Sequence, residues 1–543
     1  MNFFESILVF IRRWRFWILG AGLFIIVCSL LLAWISNSGQ DVDGWSSFLL
    51  PMGLSGAVLL AGWRLIRSAK PPRWLGYLLL AAAIFRLVLG VVWFLALPRV
   101  GYASPAERQG YVMADAYNRD RAAWKIAQRH YPVWKMPAAV RSYRKFDQYG
   151  GMLLLSSLIY QVSGANSHQP LMVVTLAASF SAVAILFAWA FSRLAWGDST
   201  ARIAAWGLAI YPEAVLLGSS QMREAFLVTL ISAAFYYLLR YLKSHTWKNL
   251  VGALLALLLC LPFSPPATAF IITMLVLFFA IVGDGFLWKQ RKLWVIGAVL
   301  VLLVLFGMWF AWNNYAPEGI SNPFSLITWW LKTSAGIQAR LSRLDSGWVQ
   351  KILRSVPEWL RIPLLLSYGA VRPFLPAALI DVSSVPIWRW ISIWRSVGWT
   401  LLLPFLIYAP FLSLRKNSPD QEIPMSIGRG STLVIWMAIL MASLRAGADL
   451  WDNPRYRAMF AGLQIALAAW IWVTAVQRRD IWLKRTLISL SLILAWFIPW
   501  YLRRYTIISW PVDDFFKTLG LGLASAILYI VWDWVGHQSG PKS

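Results

Sequence analysis

The run MADAYNRDRAAWKIAQRHY, residues 113–131, decides how the rest of this chain is read. It lies in the longest polar interval among the apolar segments of the first third, from Arg99 to Gly151. Ten Lys or Arg there face only four acids, Glu107, Asp115, Asp120 and Asp147. Tyr117, Trp124 and the apolar positions between them predict a short amphipathic helix packed onto a membrane surface. A basic interval set between apolar runs reads as an anion-binding platform with few carboxylates to spare, so each acid carries weight.

Outward from that loop the chain is apolar. Of its 543 residues 59% are hydrophobic and 13% charged, with a mean hydropathy of +0.60, which excludes an ordinary globular protein. Apolar segments approaching the roughly 20 residues of a bilayer crossing recur throughout and lack the alternation of a membrane barrel, so the expected fold is an all-α polytopic membrane protein. The net charge of +27 sits mainly at span ends, where orientation and lipid headgroups explain it better than nucleic acid. Many of the Trp residues also lie near span ends, as an interfacial belt does. Cys28 and Cys260 fall inside apolar spans and read as packing residues, with no disulfide framework. The N-terminal run MNFFESILVFIRRWRF reads as a basic approach to a retained first span, not a cleavable signal.

Basic residues inside give a running check on topology. Arg12, Arg13 and Arg15 place the N-terminus in the cytoplasm, and the third span, about 75–97, then delivers the 98–150 loop to the extracytoplasmic side. The segment 150–163 is too short to cross comfortably and reads as interfacial or re-entrant. Span five, about 204–219, then leads to a short external turn, Ser219 to Glu224, able to approach the loop. About fourteen spans are expected. The divisions are an N-terminal transmembrane hairpin (1–74), a transmembrane core (75–313) carrying the loop, an external Pro-rich interfacial segment (314–391) and C-terminal transmembrane helices (392–543).

Asp115, ringed by Arg119, Arg121 and Arg129, can serve as a general base toward an acceptor hydroxyl or amine, or can be a surface acid paired with those arginines. Asp120 and Asp147 are weaker candidates of the same kind. Glu224 stands at the mouth of span six, and Glu213 lies within span five, where an ionisable group is costly and often functional. Arg455, Tyr456 and Arg457, with Arg372 and Arg361 from the Pro-rich segment, suit phosphate oxygens through the guanidinium fork, or else snorkel at span ends. His130, His168, His245 and His537 are scattered without Cys partners, and no Walker-type loop occurs.

The segments DAYNRDRAAWKIA (115–127), FDQYGGMLLLSSLIYQVSG (146–164), the run from Phe191 to Arg240 and the late PRYR (454–457) together resemble the GT-C superfamily of membrane glycosyltransferases. The nearest likeness is to glycosyltransferase family 39, which includes protein O-mannosyltransferases and lipid A aminoarabinose transferases. It covers roughly residues 75–245 and 445–475. The resemblance implies transfer of a sugar from a polyprenyl-phosphate donor to a glycan, lipid or protein acceptor at the external face of a prokaryotic inner membrane. It also implies an inverting displacement with Asp115 as base, Glu224 at a second acidic position, Arg455 and Arg457 near the donor phosphate, and Tyr117, Arg119 and Arg121 supporting the loop. Many relatives need no metal, while others use a divalent cation such as Mg or Mn. A polysaccharide polymerase or ligase using lipid-diphosphate glycans is the competing enzyme reading. A lipid or solute transporter is the other class, but it should show matched broken spans in two halves, and no such symmetry is visible.

Overall fold

Apolar runs of this length satisfy their backbone internally, and every regular element among the described residues is a helix. The structure is a computed structural model. It describes residues 3–37, 39–143, 147, 149–283, 352, 354–380, 384–415, 422–445, 452–506 and 508–538, with scattered positions between 302 and 329. The expected span 293–313 and the first part of the Pro-rich segment, 314–353, lie largely outside the described residues. Ten of the described helices are long and apolar enough to cross a membrane. The chain is an integral membrane protein.

Clustering divides the chain into two compact units. The first comprises residues 1–186 and 215–226. It holds α1 (Phe3–Ser36), α2 (Leu49–Leu65), α3 (Arg73–Val100), α4 (Ala114–Ala127), α5 (Met136–Arg141), α6 (Gly151–Val162) and the start of α7 (Leu171–Trp196). The basic loop is therefore helical over α4, as its pattern predicts. At 12 residues α6 is too short to cross the bilayer's hydrocarbon core, in keeping with the interfacial reading of 150–163. Gly110 fixes how the loop leaves α3. Its φ is +77°, and an added Cβ would lie 2.6 Å from the Cα of Phe94, so main chain meets main chain there.

The second unit comprises residues 187–214 and 227–543. Its helices are α8 (Asp198–Ile210), the start of α9 (Pro212–Gly218), most of α10 (Glu224–Ser244), α11 (Trp247–Cys260), α12 (Pro265–Val282), α13 (Glu358–Val371), α14 (Leu375–Ile380), α15 (Pro386–Leu414), α16 (Glu422–Arg445), α17 (Asp452–Ala458), α18 (Ala461–Gln477), α19 (Ile481–Tyr505) and α20 (Phe515–Gln538). Start signals are local: Ser264 caps α12 by accepting from the Ala267 amide at 3.3 Å, and Asp480 caps α19. Within this unit α8 and α15 pack on α18, α12 and α13 on α16, and α19 on α20. Lipid tails supply no hydrophobic drive between such helices, so close approach falls to small residues, as where Gly207 meets Ile465 and Gly462 meets Ser232.

The segment expected to form one span over 204–219 is broken. Pro212 cannot donate to the preceding turn and disfavours a helical Tyr211, which turns to ψ 119° and separates α8 from α9. That break positions Glu213.

Candidate active site

On α4 the buried face carries Ala116, Tyr117, Arg119, Asp120, Ala123, Ile126 and Ala127, while Asp115 is exposed in the first helical turn. The partial positive charge of the helix N-terminus thus lies beside the Asp115 carboxylate. The buried face meets α6, where Trp124 makes an edge contact with Tyr160 at 5.5 Å between centroids.

Asp120, one of the weaker acids of the sequence reading, anchors this packing. It is 2% exposed, and its Oδ2 accepts from Tyr111 at 2.6 Å and Tyr160 at 2.8 Å and lies 2.9 Å from His168 Nε2. His168 stacks on Trp124. Three side chains, one from the loop and two from beyond it, thereby converge on one carboxylate. Burial, followed by the Asp120 charge, pushes the Tyr111 phenol well above its usual pKa.

Arg119 links α4 to the turn before α10. Its guanidinium is buried, with Nη1 donating to the Gln221 carbonyl at 3.4 Å and Nε 3.8 Å from Asp147 Oδ2. Asp147 in turn accepts from the Leu153 amide at 3.0 Å, tying the start of α6 to the same point. Glu224 is 1% exposed, and Arg223 Nε donates to its Oε1 at 3.4 Å while lying over the Tyr149 ring. Burial lowers the Arg119 pKa. Arg223 pushes the same way, while Asp147, Glu224 and Asp115 oppose it. Asp115 and Glu224, distant in sequence, thus act on a single guanidinium. A small cleft beside them is lined by Trp93, Tyr111, Ala116, Pro170, Ser219 and Gln221. Of the supporting residues, Arg121 donates to the Tyr117 hydroxyl at 2.6 Å and faces outward.

The remaining candidates belong to the second unit. Arg455 is buried, lies 5.1 Å from the Tyr456 ring centroid and bonds its hydroxyl. Arg457 is wholly buried over Trp399. Arg372, half-buried, covers Tyr368, whereas Arg361 makes only an exposed pair with Glu358. Glu213 is held by both arms of Arg395, at 2.8 and 3.1 Å. Arg395 went unnoticed in the sequence, although an Arg set within the apolar run 386–414 is a signal in itself. Arg223, His168, Tyr160 and Gln221 were also missed. Each is ordinary in its local context and gains meaning only through a distant partner. Among the described residues no three His, Cys, Asp or Glu side chains converge as metal ligands.

Residues 152–312 match the dolichyl-phosphate-mannose-protein mannosyltransferase family, a stretch of under a third of the chain. No curated protein matches the chain at a significant level. Among solved structures, similarity extends to the archaeal oligosaccharyltransferase AglB from Archaeoglobus fulgidus, in complex with an inhibitory peptide and a dolichol-phosphate (14% identity, TM-score 0.44, 83% of this chain and 56% of that one). The apo form of the Archaeoglobus fulgidus oligosaccharyltransferase gives 14% identity, a TM-score of 0.41 and coverage of 82% and 56%. This chain thus spans little more than half the length of those structures. The family match bears out, over residues 152–312, the resemblance to the GT-C superfamily of membrane glycosyltransferases.

Proposed function

We propose that this protein transfers a sugar from a polyprenyl-phosphate-linked donor to an acceptor hydroxyl or amine at the extracytoplasmic membrane face. The observation that supports this most is that Arg119, on the same helix as exposed Asp115, donates to the Gln221 carbonyl in the turn that leads to buried Glu224. In the proposed reaction the Asp115 carboxylate takes the proton of the acceptor as its oxygen or nitrogen bonds to the anomeric carbon. The bond from that carbon to the phosphate oxygen breaks with inversion, and the polyprenyl phosphate leaves with the electron pair. Glu224 keeps Arg223 beside the loop, and Arg119 holds α4 against the Gln221 turn, so that Asp115 is pre-positioned. Arg455, Tyr456 and Arg372 are the groups proposed for the donor phosphate, on their chemistry alone, whereas Arg457, expected beside them, is wholly buried over Trp399 and is left out of that role. No step is routed through a metal.

Purified protein in nanodiscs would be offered a panel of radiolabelled polyprenyl-phosphate sugars together with the Asp115→Asn variant. Turnover that falls about 10²- to 10⁴-fold in the variant, with donor binding retained, is the expected result. Donor binding without turnover across the panel, or turnover unchanged in Asp115→Asn, refutes the assignment.

A further inference from the structure

The second unit contains a buried charge cluster that the transfer reading does not use. Gly398 lets α15 approach the Tyr211–Glu213 turn so closely that an added Cβ would lie 2.5 Å from Pro212 Cδ. Arg395 and Trp399, four residues apart on α15, share the face turned toward that turn. Glu213 and Arg395 close on each other, and both Glu213 oxygens are taken.

Arg457 enters from α17. It is 0% exposed, and its Cζ lies 3.3 Å from the centroid of the Trp399 ring. The ring covers one face of the guanidinium, which leaves the in-plane N–H groups to find acceptors. Among the described residues none of Nε, Nη1 and Nη2 makes a well-formed hydrogen bond. The Tyr211 hydroxyl lies close enough to this guanidinium to interact with it, although no well-formed hydrogen bond joins the two, and the buried Ser396 hydroxyl one turn before Trp399 has no partner among the described residues. Buried donors of this kind are rarely left without an acceptor, and a buried charge least of all.

We propose that this corner of the second unit binds a small inorganic monoanion of the halide type, held by Arg457 and Tyr211 with Ser396 at its margin. Formal charges select the ligand: two arginines against one glutamate leave +1, which one negative charge balances and a phosphate dianion would reverse. Burial selects its size, because Arg457, Tyr211 and Ser396 are all nearly or wholly inaccessible and a lipid headgroup has no exposed donor to meet. Guanidinium is itself weakly hydrated and pairs with anions that shed water readily. The guanidinium supplies donors only, and each of the two hydroxyls can turn its O–H toward an anion.

The test is equilibrium binding of radioactive chloride to the full-length detergent-solubilised protein exchanged into gluconate. One saturable ion per chain, displaced by bromide, is expected. Arg457→Gln should abolish that binding, the exposed Arg478→Gln should leave it intact, and Tyr211→Phe should weaken it about five- to tenfold. No saturable chloride on the wild type, or equal binding by Arg457→Gln, overturns the proposal. If Arg457→Gln does not fold, unchanged affinity in Tyr211→Phe overturns it instead. Competitive displacement of chloride by polyprenyl phosphate would show a lipid-phosphate site and also overturn it. Transfer activity is not read, so the outcome leaves the transferase assignment independent.

Discussion

Arg119 donates to the main-chain carbonyl of Gln221 at 3.4 Å, and the separation of 102 positions makes this a tertiary clasp between α4 and the turn that opens α10. Being buried, it is the group on which Asp115, Asp147, Glu224 and Arg223 all act. A single side chain therefore controls how Asp115 and Glu224 are placed within the first unit.

Replacing Arg119 with Gln should lower kcat about 10- to 100-fold with little change in KM, because misplacement of about an ångström costs on that order. Arg119→Lys should recover part of the loss by restoring charge without the fork. Steady-state kinetics on both variants decides this, and equal kcat in Arg119→Gln and wild type would remove Arg119 from the positioning role.

The Asp120→Asn change should loosen the loop while leaving the spans folded. One charged oxygen serving Tyr111, Tyr160 and His168 is replaced by a neutral amide, and about 1–3 kcal/mol is expected from imperfectly satisfied buried groups. Limited proteolysis between residues 101 and 170 should quicken. Protection equal to wild type would mean the cluster is dispensable.

Alkaline pH should destabilise the first unit through Tyr111. Its folded pKa is raised, so above about pH 10, where an unfolded tyrosine ionises, the unfolded state binds fewer protons than the folded state and stability falls with pH. The contribution is fully present below that pH. A thermal-shift series from pH 8 to 11 should show a shallower alkaline decline in Tyr111→Phe, and superimposable curves would contradict the assignment.

Breaking the Glu213–Arg395 pair from either side should be severe, about 3–5 kcal/mol, because the surviving charge stays buried. Removing both, as in Glu213→Leu with Arg395→Met, should restore much of the loss. A double-mutant cycle on apparent Tm measures the coupling, and additive effects would show that the two residues do not depend on each other.

Much of the architecture was legible in the chain. Apolar run length, basic span ends and the amphipathic pattern of residues 114–127 all translate directly into helices, since these are local properties of backbone satisfaction and side-chain periodicity. Asp115 stood out too, because acids are scarce in that basic loop, and its role is what the Asp115→Asn variant tests. The roles of Asp120 and Glu213 were not. Each looked like an ionisable group awaiting chemistry, and each proved to be engaged by residues 40 and 182 positions away, Tyr160 and Arg395.

The sequence by itself determined the helical membrane class, the positions of nearly all described spans and the short amphipathic helix that carries Asp115. Tertiary structure alone decided which charges meet: Arg119 with Gln221 and Asp147, Arg395 with Glu213, Arg457 with Trp399. The physical reason is range. Helix formation in an apolar run is settled by neighbours within a few residues, whereas the fate of a buried charge depends on which distant partner the packing brings within about 3–4 Å, and spacing along the chain carries no record of that.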